Sequence, residues 1–125
     1  MTRPTTHALA GQAQQAGYHV VSAEQLRPNR WLLHLLDGDG AMLVLVQARP
    51  LVGAADVQDL AEVVRLRGPR YGILLAYEGA FSPAAQRTLA ELGDHRLRLC
   101  TALPPASRAS SPEPRTVPIT AKPLP

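Results

Sequence analysis

The chain has 125 residues, 46% of them hydrophobic and only 4% aromatic, with a formal net charge of +3. This length suits one domain with a real core, and the apolar share is that of a globular protein. The charge is too small to argue for nucleic acid by itself, a single cysteine (Cys100) excludes an internal disulfide or a cysteine-based zinc site, and no apolar run approaches the roughly 18 residues of a membrane span.

Residues 1–11 (MTRPTTHALAG) carry no hydrophobic signal core, so a cytoplasmic protein is expected. Among lysine and arginine positions every one except Lys122 is arginine. Arginine favours bidentate contacts with phosphate or carboxylate, although a high-GC genome produces the same bias.

In chain order, residues 6–16 (THALAGQAQQA) predict a helix with Thr6 as its N-cap and Gly17 as its stop. Residues 18–22 (YHVVS) predict a short edge strand. Residues 24–30, with Pro28 and Asn29, predict a loop. Residues 31–36 (WLLHLL) and 41–48 (AMLVLVQA) flank Asp37-Gly38-Asp39-Gly40, whose residues tolerate positive φ, and together they predict a β-hairpin. The unbroken run Met42–Val46 suits a strand buried on both faces. Gln47 and Arg49 follow it two residues apart, which puts both side chains on one face of the strand end.

Residues 50–53 predict a connection. Residues 54–67 predict a helix with Val57, Leu60, Ala61 and Val64 inward and Asp56, Asp59, Glu62 and Arg65 facing away; Gly68-Pro69 ends it. Residues 71–76 (YGILLA) predict a third buried strand. Ser82-Pro83 predicts a helix start, running to Leu92 with Ala85, Leu89 and Leu92 inward and Gly93 closing it. Residues 96–101 (RLRLCT) alternate as a last strand, with Leu97 and Leu99 on one face and Arg96 and Arg98 on the other. Seven of the 12 prolines fall after Leu103, among Ser, Arg and Thr, so residues 103–125 predict a disordered or extended Pro-rich tail outside a domain of residues 1–102. The expected fold is α/β: a mixed sheet with an antiparallel hairpin and helices on both faces.

This ordered set resembles the Mrr-type members of the restriction-endonuclease-like nuclease superfamily over roughly residues 9–101. Three stretches, covering four successive elements, carry the resemblance. LVQAR (45–49) is similar to the Gln/Glu-x-Lys signature that ends the second hairpin strand; VGAADVQDLAEVV (52–64) is similar to the following helix; GILLAYEGAFSPAAQRTLAEL (72–92) is similar to the third strand and last helix, with a small-residue turn before Phe-Ser-x-x-Ala. The resemblance implies a restriction-endonuclease-like fold and DNA phosphodiester hydrolysis with Mg²⁺. In that family an Asp near the first hairpin strand and the Glu or Gln of the second hold the metal, and the Lys two residues on orients the attacking water. Hard oxygen ligands, a Lewis acid on the phosphoryl oxygen and a nearby cation are what such chemistry requires.

The chain departs from this pattern twice. Arg49 stands in the Lys position, where it keeps the charge but makes a poor base. The family's Asp belongs where this chain has Asn29-Arg30-Trp31-Leu32-Leu33, with no carboxylate. Asp37 and Asp39 lie in the hairpin turn, on the order of 15 Å from Gln47. Glu24, in the loop, is the one acid expected to be able to swing in. Catalytic positions are thus Gln47, Arg49 and Glu24, and DNA-contacting positions Arg49, Arg65, Arg67 and Arg70.

Each has a structural alternative. Gln47 and Arg49 could merely cap a strand, and the arginines around residues 65–70 could form a solvated rim. The Asp-Gly repeat reads as a turn without a Ca²⁺ loop's closing Glu, His34 as a packed core side chain, and Cys100 as an inert buried thiol.

Three functions remain open: a Mg²⁺-dependent DNA endonuclease using an unrecognised carboxylate; a nuclease-derived domain that has lost cleavage and serves DNA binding or association as a homodimer; and a small protein-interaction domain. The second is preferred.

Overall fold

The computed structural model of the chain describes residues 3–38 and 40–106. Its elements are α1 (Thr6–Gln15), β1 (His19–Arg27), β2 (Arg30–Asp37), β3 (Gly40–Gln47), β4 (Leu51–Val52), α2 (Ala54–Arg67), β5 (Tyr71–Ala76), β6 (Ala80–Phe81), α3 (Pro83–Leu92) and β7 (Leu97–Cys100). Five strands form one mixed sheet in the order β1-β2-β3-β5-β7. Its first three strands are antiparallel neighbours. β3, β5 and β7 run parallel, so their C-terminal ends share one edge. The two-residue strands β4 and β6 pair separately, parallel, just beyond that edge. Among the described residues no helix is long and apolar enough to cross a membrane.

Alternation along the central strands divides the core in two. Trp31, Leu33, Leu35, Met42, Val44, Val46, Ile73 and Leu75 pack with Leu9 and Ala13 of α1. Leu32, Leu43, Leu45, Leu74 and Ala76 pack with Val57, Leu60 and Val64 of α2 and Ala85 of α3. A strand buried on both faces has no polar side to show, which is why residues 42–46 are uniformly apolar. Contact on the α2 face is tight: a Cβ on Gly72 would lie 2.4 Å from Val64 Cγ2, so only glycine lets α2 approach β5.

The hairpin of β2 and β3 is as expected, with Asp37 pairing Gly40 across its turn. α2 and β5 have the expected bounds, and Ser82 caps α3 by accepting from the Ala85 N–H. Elsewhere the structure corrects the sequence. The N-cap of α1 is Thr5, whose Oγ1 accepts from the Ala8 N–H. Residues 24–27 are not a loop: β1 continues to Arg27, which pairs Arg30 around Pro28-Asn29 and makes a second hairpin. The edge position exposes most of β1, so it lacks the alternation that would reveal it. Leu92 is 43% exposed, because the last turn of α3 runs past the apolar contact and leaves Ala85 as its buried anchor. Residues 103–106 return across the α1 side, where the Tyr18 hydroxyl donates to Pro104 O at 2.7 Å and the Ala106 N–H to Ala16 O at 2.8 Å. The rest of the Pro-rich segment and Asp39 lie outside the described residues.

Candidate functional site

The strand-end pair falls where the parallel strands finish and α2 begins. Gln47 is the last residue of β3, pairs Arg30 in register, and is buried on the α2 side. Arg49, two residues on, keeps the same side, and its side chain is 43% exposed. The chain then turns through Pro50 into β4 and enters α2 at Gly53, which has no side chain with which to cap the helix. Asp56, at the third helical position, does it instead, accepting from the Gly53 N–H at 3.0 Å.

That carboxylate is not turned to solvent. Asp56 is 3% exposed, which overturns its assignment to the outer face of α2. A first-turn carboxylate that curls back to the N-cap points toward the strand ends, and here two arginines meet it. Arg30 Nη2 donates to Asp56 Oδ1 at 2.7 Å, and Arg49 Nη2 donates to Asp56 Oδ2. Arg30 makes two further bonds, from Nε to Gln47 Oε1 at 2.8 Å and from Nη1 to Asp59 Oδ2 at 2.8 Å. Gln47 Nε2 reaches Asn29 O at 3.4 Å. All three nitrogens of one buried guanidinium therefore rest on oxygens of three different side chains. The expectation of no acid beside Gln47 is corrected: α2 brings two, Asp56 and Asp59.

Two guanidinium groups balance two carboxylates, so the cluster is neutral as it stands. That balance decides the metal question. A Mg²⁺ ion requires near-octahedral oxygen ligation at about 2.0–2.1 Å. Both oxygens of Asp56 are already engaged by cations or a backbone N–H, and Gln47 Oε1 by Arg30. An added dication would sit against the Arg30 guanidinium. The residues present do not fit the metal.

The other candidates lie elsewhere. Glu24 is exposed on β1, opposite Leu32 in the β1–β2 pairing; β1 is two strands, about 10 Å, from β3. Arg65, Arg67 and Arg70 are exposed at the opposite end of the sheet, the first two in the last turn of α2 and Arg70 just beyond it. Arg65 bonds Glu62 on its own helix, and the side chain of Arg70 lies over Gly40. His34 is partly buried on the α2 side of β2, and Cys100 is half-buried, with burial pushing its thiol pKa up.

The end of the sheet away from Gln47 has a second buried acid. Asp37 is 6% exposed and accepts from the Tyr71 hydroxyl, while Arg98 lies over the Tyr71 ring at 4.5 Å. Burial first, then the Asp37 charge, pushes the Tyr18 hydroxyl up to about 12; burial first, then the hydrogen bond to Asp37, raises Tyr71 as well.

Sequence reasoning missed Arg30, Asp56 and Asp59. One signal for Asp56 was present: Gly53-Ala54-Ala55-Asp56 has the spacing of an N-cap with its third-position acid. Compared with protein-family models and with curated proteins, the chain finds no match in either.

Proposed function

We propose that this chain is a cytoplasmic, restriction-endonuclease-like domain of the Mrr type that engages DNA without cleaving it. The observation that carries this reading is the occupant of the strand-end cluster. Where the family pattern has an acid opposite the Gln, this chain has Arg30, whose guanidinium bonds Gln47, Asp56 and Asp59. A guanidinium there supplies charge but neither a Lewis acid nor a bound water. Arg49, next to it, keeps a partly exposed cationic edge at the mouth of the cluster, suited to a backbone phosphate.

The test is incubation of supercoiled plasmid with Mg²⁺ or Mn²⁺, beside gel shifts at two salt concentrations, for wild type, Gln47→Ala and Arg49→Ala. The expected result is no nicking, together with a shift that weakens in Arg49→Ala and in raised salt. Absence of any shift at high protein would reject the reading. An active nuclease has one observation in its favour, the two carboxylates that α2 places beside Gln47. Nicking that vanishes in Gln47→Ala and Asp56→Asn would establish that alternative.

A further inference from the structure

We infer that Arg30 is a built-in cation: its guanidinium fills a divalent-cation position formed by Gln47, Asp56 and Asp59, and vacating it opens that position to a metal ion. The inference concerns cation binding alone and is independent of whether DNA is engaged.

Three hard oxygens converge on this one side chain, Gln47 Oε1 from β3 and Asp56 Oδ1 and Asp59 Oδ2 from α2, each within 2.8 Å of a guanidinium nitrogen. Carboxylate and amide oxygens are the ligand types of hard divalent ions. The charge argument points the same way. With Arg30 present, the four charged side chains cancel. Without it, Asp56 and Asp59 face Arg49 alone, and Asp56 is a buried carboxylate with half its compensation gone. Such a group recruits a cation or a proton, since an uncompensated buried charge is costly. Placement favours replacement by an acid at the same point. The position pairs Gln47 directly across the β2–β3 ladder, so a short carboxylate there would stand beside the Gln47 side chain. The oxygens surround a flat guanidinium that is wider than a metal ion, so an ion tolerant of irregular ligation, Mn²⁺ or Ca²⁺, suits the vacated position better than Mg²⁺.

The experiment is Mn²⁺ titration of the full chain, read as free Mn²⁺ by electron paramagnetic resonance and as the metal-dependent rise in melting temperature. Wild type is expected to show no saturable binding. Arg30→Asp is expected to bind one equivalent, at least about tenfold tighter than wild type, because ligand charge count sets affinity. Arg30→Asp combined with Asp56→Asn is expected to lose that binding. If Arg30→Asp is unfolded without metal, Mn²⁺ is expected to restore its circular dichroism, and Arg30→Met, which keeps the apolar stem, serves as the second variant. Saturable Mn²⁺ binding by wild type that disappears in Asp56→Asn would overturn the inference. So would a folded Arg30→Asp with no saturable binding, or an unfolded one that Mn²⁺ does not rescue together with an Arg30→Met that binds none.

Discussion

Both ends of the parallel strands bury a carboxylate, and the fold holds the two by different means. At the C-terminal end, Asp56 meets two guanidiniums and a backbone N–H, contributed by residues 26, 7 and 3 positions away in sequence. At the other end, Asp37 has the hydroxyl of Tyr71 among its partners, with Tyr18 close enough to feel its charge. The first arrangement is an ionic clamp that ties β2, the end of β3 and the start of α2 together. The second keeps two phenols protonated beside an acid. An ionic clamp fails when one partner is removed; a phenol–carboxylate contact fails when the phenol loses its proton. Charge deletion and alkaline pH should therefore separate the two ends.

The largest expected effect is at the clamp. Asp56→Asn preserves shape and an acceptor for the Gly53 N–H, but leaves the buried Arg30 and the Arg49 guanidinium facing only Asp59. Breaking a buried ion pair by removing one partner costs about 3–5 kcal/mol, a large part of a small domain's stability. Urea unfolding should show that loss as a lowered midpoint. A change below about 1 kcal/mol, the level of a surface pair, would mean that water already screens the cluster.

The contrast also explains which features were legible in the sequence. α2, β5 and the hairpin of β2 and β3 could be read because their apolar residues repeat with the period of the element. β1 could not be followed past Ser22, since an exposed edge strand has no buried face to enforce alternation, and it bulges at two places in its pairing with β2. Gln47 and Arg49 were legible as a pair because they interrupt an apolar run. Asp56 was misread because a helical projection considers only the direction in which a side chain leaves the axis. A first-turn acid bends back toward the N-cap, and the partners that bury it come from other segments. Arg30 looked like a loop residue for the same reason: its role is set by a strand pairing that Pro28-Asn29 conceals.

At the other end, the expected effect is smaller and depends on pH. Tyr71→Phe removes one hydroxyl donor to Asp37 and should cost about 1.5–3 kcal/mol at neutral pH, the net worth of a hydrogen bond to a charged group. The pH dependence has a definite sign. The Tyr18 pKa is raised from 10.0 to about 12, and that of Tyr71 is raised too, so the folded state holds these protons more tightly than the unfolded state. Their contribution is complete below pH 10 and declines as pH rises toward about 12. Unfolding midpoints measured across this range should fall for wild type and fall less steeply for Tyr18→Phe and Tyr71→Phe. An equal slope in all three would show that the phenols are not what makes the fold alkali-sensitive.

The smallest effect sharpens the comparison as a question of where DNA would lie. Arg65 is nine residues from Asp56 along α2, about 14 Å down the helix axis, and it pairs with Glu62 on an exposed surface. Arg65→Ala should leave the urea midpoint unchanged. If DNA engages only the end of the sheet that carries the clamp, Arg65→Ala also leaves the salt dependence of binding unchanged, while Arg49→Ala lowers its slope by about one, the value of a single phosphate contact. Equal losses of slope in both variants would place the phosphate path along the length of α2, and the end of the sheet with Asp37 would then share the surface that the clamp is proposed to dominate.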